Sequence, residues 1–496
     1  MERQKPNRIV FSCCIFLGLG ILFSSSLQAQ VIQGRVFLDK NANQVQDKGE
    51  KGIARVWVSN GLDLVPTDKQ GRFQIEAEPG QSIFPILPSG YGFTLEDPKY
   101  RGNAGFYYLD PQKQYGDTLA LNFALKQVAQ SSSFRIGAIG DIQVDNQEEF
   151  SYASRSILQE LAQREDLDFT IFLGDLVNDN MGLLAPLKAT LETLPMPSWT
   201  LVGNHDRNVE QPQAMDDVFN RNFGADTYAF NYGQVHFIVL NNIYATGRRS
   251  YEGRISEDQL TFLKNDLQQV DPHTTVVISQ HIPMAQTRNK DAVIALLEGF
   301  ENVLFLSGHT HQVHRYTYDR PGMQELGAGA TCGTWWRGEK DAEGIPDAIM
   351  QDGTPRGYFV LDFDHGKYSL RFKGVGMDAY KQMAFYTDKE TQRAIVNVYG
   401  GSRQTQVRMR IDSLPWVALE QRRQVDPRVA ELVQRNRAGI YPTEGNTRIP
   451  LGNRPSSHIW EAKLPENLEA GMHQVHIEAK DAYGFQATQV FYLEQE

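Results

Sequence analysis

The sequence contains very little cysteine. Only three of its 496 residues are cysteines, and two of these, Cys13 and Cys14, lie in an apolar N-terminal stretch. If that stretch is removed, Cys332 is the only thiol left, so no intrachain disulfide can form. Stability must then come from hydrophobic cores and from any bound ions rather than from covalent cross-links.

Long hydrophobic runs are scarce as well. Residues 9–23 form an apolar stretch with a basic start and a serine-rich end, and no other segment is long and apolar enough to span a bilayer. This pattern, with a small residue at Ala29, predicts a signal peptide over 1–29 and an exported protein, periplasmic or extracellular. A retained membrane anchor is the alternative. Lipid attachment at Cys13 or Cys14 is disfavoured, because little apolar sequence precedes them.

Positive charge is in the minority. The chain has 49 Lys and Arg against 60 Asp and Glu, a net charge of −11, which becomes about −13 without residues 1–29. An acidic surface repels polyanions, so a general nucleic-acid-binding protein is disfavoured. A small anionic substrate remains compatible with this charge, because bound metal ions supply local positive charge.

Five apolar runs in the middle of the chain end in polar residues. They read RIGAIGDIQ, FTIFLGDLVND, WTLVGNHD, VVISQH and VLFLSGHTH, and they end in Asp141, Gln143, Asp175, Asn204, His205, Asp206, His281, His309 and His311. Such runs predict buried strands that end at one edge of a sheet, where open α/β proteins bind ligands. Each junction alone is typical of a turn. Together they gather oxygen and nitrogen ligands, as a metal site requires.

In this order the five motifs resemble the pattern of the calcineurin-like metallophosphoesterases: GDxH, GDxxN or GDxxD, GNHD or GNHE, a lone His, and GHxH. The resemblance covers roughly residues 134–331 and departs from the family at Gln143, where His is usual. It implies two mixed sheets flanked by helices, in agreement with the alternating strand and helix patterns of this segment. It also implies hydrolysis of a small phosphorylated substrate, a phosphate mono- or diester.

The resemblance further implies two divalent or trivalent metal ions, manganese, iron or zinc, with Asp175 bridging them. The remaining ligands would be Asp141, Gln143 and His311 at one ion and Asn204, His281 and His309 at the other. The ions would activate a water for attack on phosphorus. His205 would stabilise the phosphoryl group or protonate the leaving group, with Asp206 orienting its ring. Because an amide oxygen is a weaker ligand than imidazole, Gln143 is expected to loosen its site or to favour a harder metal.

The flanking segments are rich in short strand patterns. Residues 30–127 predict an N-terminal β domain that resembles the prealbumin-like domains of surface proteins. Residues 134–330 form the phosphoesterase segment. Residues 331–496 predict a mostly β domain that resembles the one accompanying calcineurin-like domains in some exported bacterial phosphoesterases. The predicted fold class is α/β, a two-sheet metallophosphoesterase sandwich between two β domains. Helices are predicted at 148–164, 181–194, 256–267 and 427–435.

An Asx-rich loop in the N-terminal segment has the spacing of a calcium site. Positions 1, 3, 5, 9 and 12 of an EF-hand-type loop are filled by Asp39, Asn41, Asn43, Asp47 and Glu50. Gln44 stands where the motif has glycine, and no helical pattern precedes the loop. A structural calcium site and a solvated turn therefore both stay open.

Trp335, Trp336 and Arg337 are candidates for substrate contact, since indole rings stack on bases or sugars and arginine pairs with phosphate. Anchoring of a domain interface by the tryptophans is the alternative, and both interpretations stay open. Cys332 has no identifiable base nearby in the pattern and is expected to be a small buried residue.

The alternative to an enzyme is a surface adhesion or binding protein that retains a degenerate phosphoesterase scaffold.

Overall fold

The computed structural model describes residues 29–94, 105–440 and 446–495. The predicted signal peptide lies outside these residues except for Ala29. Within the described ranges, no helix has the length and apolar character needed to cross a membrane.

The N-terminal segment forms two four-stranded sheets, with strand orders β4-β1-β8-β6 and β3-β2-β5-β7. The strands are β1 (Gln30–Leu38), β2 (Trp57–Ser59), β3 (Leu64–Pro66), β4 (Arg72–Ala77), β5 (Ser82–Pro85), β6 (Tyr91–Phe93), β7 (Tyr107–Tyr108) and β8 (Thr118–Gln127). Buried and exposed residues alternate along β4, so Phe73 and Ile75 enter the core while their neighbours face solvent. This is the β domain that the strand pattern predicts.

The central segment is an α/β sandwich of two mixed sheets, with orders β11-β10-β9-β20-β21 and β12-β13-β16-β17-β19-β18, and a two-stranded hairpin β14-β15. Its strands are β9 (Ser133–Ile139), β10 (Phe169–Phe172), β11 (Ser198–Thr200), β12 (Tyr228–Tyr232), β13 (Val235–Val239), β14 (Ile243–Ala245), β15 (Tyr251–Gly253), β16 (Thr275–Ser279), β17 (Val303–Ser307), β18 (Val313–Thr317), β19 (Met323–Ala328), β20 (Gly357–Asp364) and β21 (Lys367–Gly374). Its helices are α1 (Gln147–Ala153), α2 (Gln159–Ala162), α3 (Leu184–Leu191), α4 (Asp217–Phe223), α5 (Glu257–Leu267) and α6 (Lys290–Leu296). Ser154–Leu158 is a π-helical turn that joins α1 to α2.

The strands that carry the motifs are buried on both faces. Every residue of β10, β16 and β17 is buried, as expected when one face of a sheet packs on the other sheet and the opposite face is covered by helices. Aromatic rings fill the space between the two sheets, with the ring centroids of Phe169 and Phe237 5.3 Å apart. Since β9, β10 and β11 are parallel, and β16 and β17 are parallel, their carboxyl ends bring the motifs together.

Two strands of the sandwich come from the segment assigned to the C-terminal domain. β20 pairs antiparallel with β9, with Phe359 opposite Ala138, and β21 pairs with β20. The sheet therefore extends beyond residue 330, the predicted end of the phosphoesterase segment. The strand pattern could not reveal this, because pairing between strands distant in sequence leaves no local signal.

The remaining strands form two four-stranded sheets, β22-β23-β27-β26 and β25-β24-β28-β29. Their bounds are β22 (Met383–Asp388), β23 (Arg393–Val398), β24 (Gln406–Ile411), β25 (Val417–Ala418), β26 (Glu420–Gln424), β27 (Ser456–Lys463), β28 (Gly471–Lys480) and β29 (Gln486–Gln495), with one helix, α7 (Pro427–Arg437). Helices occur in all four predicted places. Local capping explains two starts: the Ser256 side chain accepts from Gln259 N–H, and Asp426 accepts from Arg428 N–H.

Candidate metal centre

Two glycines show why the motifs pair glycine with a polar residue. A Cβ atom on Gly203 would lie 2.2 Å from Oδ1 of Asp175, and one on Gly308 would lie 2.3 Å from Oδ1 of Asp141. Only glycine leaves room for a carboxylate of the neighbouring strand to lie against the backbone there. The glycines are thus a packing requirement of strand ends that converge on one site.

The backbone is in the left-handed region at four ligand candidates. The φ angles are +43° at Gln143, +47° at Asp175, +72° at His309 and +50° at His311. Non-glycine residues rarely adopt such angles, and they cluster at functional sites. In the GHTH motif these angles turn the two rings apart. Nδ1 of His309 lies 3.2 Å from Nε2 of His281, whereas Nε2 of His311 lies 3.2 Å from Oδ2 of Asp141.

Four of the predicted ligands meet around one nitrogen, Nε2 of His281. This atom lies 3.1 Å from Oδ1 of Asn204, 3.2 Å from Oδ2 of Asp175 and 3.2 Å from Nδ1 of His309. The ligand atoms of Asp175, His281 and His309 lie within 4.8 Å of one another. We call these four residues the histidine-rich half of the site.

The other three predicted ligands, Asp141, Gln143 and His311, form the second half. All three are buried, and Asp141 accepts the backbone N–H of His309 at 3.0 Å. Nε2 of Gln143 donates to Oδ1 of Asn178 at 3.3 Å, and its Oε1 faces the Cys332 thiol, with Sγ at 3.8 Å. The Gln143 backbone N–H donates to the Asp175 carbonyl at 2.9 Å, so the two halves are joined through the backbone.

The ring tautomers fit bound cations. Nδ1 of His281 faces the Leu173 carbonyl at 2.8 Å, and Nδ1 of His311 faces the Gly333 carbonyl at 2.5 Å. Because a carbonyl only accepts, each Nδ1 carries a proton, and in the neutral form each ring directs its Nε2 lone pair toward a carboxylate oxygen. A lone pair facing a carboxylate is repulsive unless a cation or a second proton lies between them. Imidazole held by a backbone carbonyl is the usual arrangement of a metal ligand.

The charges around His281 support the same conclusion. Burial lowers the pKa of His281, but the carboxylate of Asp175 outweighs this effect and raises it to about 9. Burial lowers the pKa of His309 to about 4, and the positive charge of His281 adds to the shift. Without a metal, the carboxylate thus draws a proton onto one ring. A bound cation would take the place of that proton.

His205 has a different partner from the predicted one. Its Nδ1 lies 2.9 Å from Oδ1 of Asp179. Asp206 accepts the backbone N–H groups of Val177 and Gly203, both at 2.9 Å, and is fully buried. The prediction that Asp206 orients the His205 ring is therefore wrong, because its carboxylate points back into the strand ends. Asp179 was visible in the sequence as the last residue of FTIFLGDLVND.

The two tryptophans also differ in their surroundings. Trp336 is buried, and its Nε1 donates to the Ile142 carbonyl at 2.8 Å, so it packs in the core and does not offer a surface for substrate. Trp335 stacks on His311 with ring centroids 4.5 Å apart, which places it beside the candidate metal centre. Arg337 is exposed, and its contact with substrate stays a prediction. Cys332 is buried, as expected, with Sγ 3.8 Å from Nδ1 of His311.

Sequence reasoning missed the support behind the His311 turn. The backbone N–H of Gln351 donates to the His311 carbonyl at 3.2 Å, and Asp352 accepts the Val313 N–H at 2.6 Å. Asp352 in turn lies 3.0 Å from Nε2 of His458 in β27. The C-terminal strands thus hold a loop that fixes this ligand turn. No motif in the sequence identifies such a contact.

The Asx-rich loop is closed by its own hydrogen bonds. Asp39 accepts the backbone N–H groups of Ala42 and Gln44 at 2.8 and 2.9 Å. Asp47 accepts the side-chain amides of Asn41 and Asn43, also at 2.8 and 2.9 Å. These bonds are those of an Asx-rich turn. A calcium ion at Asp39, Asn41, Asn43, Asp47 and Glu50 stays a prediction.

Comparison with known proteins identifies three matching family models. Residues 39–128 match the N terminal of calcineurin-like phosphoesterase, residues 134–313 match calcineurin-like phosphoesterase itself, and residues 325–486 match the C terminal of calcineurin-like phosphoesterase. No curated protein matches the chain.

Among solved structures, the chain is similar to a purple acid phosphatase from yellow lupin (Lupinus luteus) seeds, with 15% identity over 65% of this chain and 67% of that one and a TM-score of 0.37. A phosphopantetheinyl hydrolase from Mycobacterium tuberculosis is 13% identical over 42% and 94% of the two chains, with a TM-score of 0.27. Vps29 from Entamoeba histolytica, in complex with zinc, is 13% identical over 48% and 91%, with a TM-score of 0.25.

Proposed function

Because this chain belongs to the calcineurin-like phosphoesterases and is a metal-dependent phosphoester hydrolase, we propose that it is an exported enzyme that uses two metal ions to hydrolyse a phosphate mono- or diester. One observation supports this most directly. Two buried histidines, His281 and His311, each donate a hydrogen bond from Nδ1 to a backbone carbonyl and direct Nε2 to a carboxylate. Two separate ligand sites explain why the arrangement occurs twice.

The proposed ligands of the first ion are Asp141, Gln143 and His311, and those of the second are Asn204, His281 and His309. Asp175 would be shared, since a carboxylate has two oxygens. Manganese, iron and zinc all suit this mixture of nitrogen and oxygen donors. Such ions supply Lewis-acid polarisation of phosphoryl oxygens and an activated water.

The protein's own contribution to the chemistry is placement of a proton donor. His205 carries a ring that is one third exposed, so it can reach a bound substrate, and Asp179 holds its Nδ1. With Nδ1 bonded to a carboxylate, Nε2 is directed away from Asp179 and is available to give a proton to the leaving oxygen. The burial of Asp141, Asp175 and His281 excludes bulk water from the ligand side of the centre.

Export and domain limits belong to the same proposal. The apolar stretch at 9–23 and the small residue Ala29 support a signal peptide over 1–29. We place the N-terminal domain at 30–127. Because β20 and β21 pair into the central sheet, we move the end of the phosphoesterase domain from 330 to about Gly374.

Metal analysis of the purified mature chain, combined with hydrolysis of phenyl phosphate, tests the proposal. We expect two equivalents of metal per chain, loss of activity on chelation, and recovery with manganese, zinc or iron. His205→Ala should keep the metals and lose turnover. A protein that binds no metal and hydrolyses neither mono- nor diesters would show that the proposed function is wrong.

A further inference from the structure

A cavity of about 350 Å³ adjoins the candidate metal centre, and His205 and Asn204 form part of its wall. The β14-β15 hairpin also lines it, as do Arg207, Asn208, Val209, Glu210 and Met215. Tyr251 also lines the cavity, and its ring centroid lies 6.2 Å from that of His309. If His205 protonates the leaving oxygen, the leaving group extends into this cavity. The inference below therefore rests on the proposed function.

The walls of the cavity are held together by Arg207. Its Nε and Nη2 lie 2.5 and 3.2 Å from the two carboxylate oxygens of Asp216, and its Nη1 donates to the Ile243 carbonyl at 2.9 Å. These bonds tie the segment after the GNHD motif to the base of the hairpin. Arg207 is thereby occupied within the protein, and the cavity is preformed, as ligand sites usually are.

The hairpin tip carries two further arginines that face the same acidic residue. Arg249 Nη2 lies 3.1 Å from Oε1 of Glu210, and Arg248 pairs with the other carboxylate oxygen. Two guanidinium groups share one carboxylate, so these three side chains together carry a net positive charge in a chain whose net charge is −11. These side chains are more than half exposed, and exposed pairs are weak, so an incoming anion can replace Glu210.

Apolar side chains make up part of the lining of the cavity. Met181, Val209, Met215 and Ile243 line it. Apolar side chains favour an organic body, and guanidinium groups form paired hydrogen bonds with phosphate or carboxylate. The cavity therefore combines apolar side chains in its wall with the two arginines of the hairpin tip.

We propose that this cavity receives the leaving group of the substrate and that Arg248 and Arg249 select leaving groups that carry a second negative charge, such as a further phosphate. In the hydrolysis, a new bond forms between phosphorus and the oxygen of water, and the bond from phosphorus to the leaving oxygen breaks. The leaving oxygen takes a proton from His205, the proton lost by water passes to solvent, and His205 regains a proton from solvent. Terminal phosphates of diphosphates belong to the favoured class. Monoesters of uncharged alcohols or phenols do not.

A matched pair of substrates tests the selection by charge. Phenyl phosphate and 4-carboxyphenyl phosphate differ by one carboxylate on the leaving group. We expect Arg248→Ala/Arg249→Ala to raise KM for the carboxylated ester about tenfold and to leave phenyl phosphate within about twofold of wild type. Glu210→Gln should lower KM for the carboxylated ester, because it frees both arginines. AMP and ADP provide a second pair with the same difference in charge.

Arg288→Ala is the control. Arg288 has the same side-chain exposure as Arg249, 74%, and likewise pairs with a glutamate, Glu252, but it does not line the cavity. This variant should change neither KM. Equal losses on both esters in the double variant would mean that the hairpin acts through its shape, and unchanged kinetics would mean that the arginines do not meet substrate. Either result overturns the inference.

Failure of the proposed function would be distinguishable. If the wild type hydrolyses no phosphoester, calorimetric binding of phenylphosphonate and 4-carboxyphenylphosphonate still tests the arginines. Tighter binding of the carboxylated compound by wild type than by the double variant supports the cavity's charge preference. Equal dissociation constants overturn it.

Discussion

Nδ1 of His205 lies 2.9 Å from Oδ1 of Asp179, although the residue that follows His205 is itself an aspartate. We expect His205→Ala to lower kcat for phenyl phosphate by about 10²- to 10³-fold, the size typical of losing a general acid. Asp179→Asn should lower kcat by about tenfold, because the ring keeps its place but loses a charged partner. Both losses should shrink with 4-nitrophenyl phosphate, whose leaving group needs less protonation. Losses independent of the leaving group would contradict the assignment.

Asp206 should contribute to the stability of the fold and should not orient the proton donor His205. Asp206→Ala leaves the buried N–H groups of Val177 and Gly203 without an acceptor, so we expect the free energy of unfolding to fall by about 1–3 kcal/mol. Urea denaturation of the variant measures this. Asp179→Asn, which removes the charge of an exposed carboxylate and keeps a residue type that tolerates the left-handed φ of +64° there, is the control and should stay within about 0.5 kcal/mol of wild type. If the two variants unfold alike, the structural role of Asp206 is refuted.

Gln143 should set the affinity of one metal. Gln143→His supplies the stronger imidazole ligand, and we expect affinity at that site to rise roughly tenfold. Gln143→Ala should bind one equivalent of metal instead of two. Metal analysis and calorimetry measure both effects, with the exposed Gln268→Ala as control. Identical stoichiometry and affinity in all variants would remove Gln143 from the ligand set.

Acid should weaken the contact between the N-terminal β domain and α4. The hydrogen bond from Arg221 lowers the pKa of Asp110 to about 2, against about 3.9 in an unfolded chain. Because the pKa of Asp110 is depressed in the folded state, the stabilisation that its pair with Arg221 gives the folded protein is complete above about pH 4. That stabilisation is lost as the pH falls through about 2. Solvent screening limits it to at most about 2 kcal/mol.

Urea unfolding of wild type and Arg221→Ala from pH 5 down to pH 2 checks this expectation. The variant should be less stable at pH 5, and the difference should shrink toward pH 2. The exposed Arg288→Ala provides the control. A difference that does not change with pH would show that the contact acts through packing rather than through charge.

Sequence patterns identified the parts of the molecule that depend on local structure. Helix α5 begins where Ser256 can cap it, and the ligand candidates follow strands whose burial is complete. Both signals lie within a few residues of the feature they predict. The order of the five motifs added the fold of the central segment.

Features that depend on distant contacts were not predictable in the same way. The choice between Asp179 and Asp206 depends on how two loops turn after different strands, and neighbouring residues in a loop can point in opposite directions. Trp336 is buried by segments far from it in sequence, since its indole N–H reaches Ile142. Their adjacent positions in the sequence gave the two tryptophans the same pair of candidate roles, substrate contact or anchoring of a domain interface.

The pairing of β20 with β9 also determines where the chain can be truncated. A recombinant fragment that stops at residue 330 would lack β20, and β9 would become the open edge of its sheet. Unpaired amide and carbonyl groups on a long apolar strand recruit a second molecule, so such a fragment is prone to aggregate. Truncation beyond Gly374 keeps this edge covered.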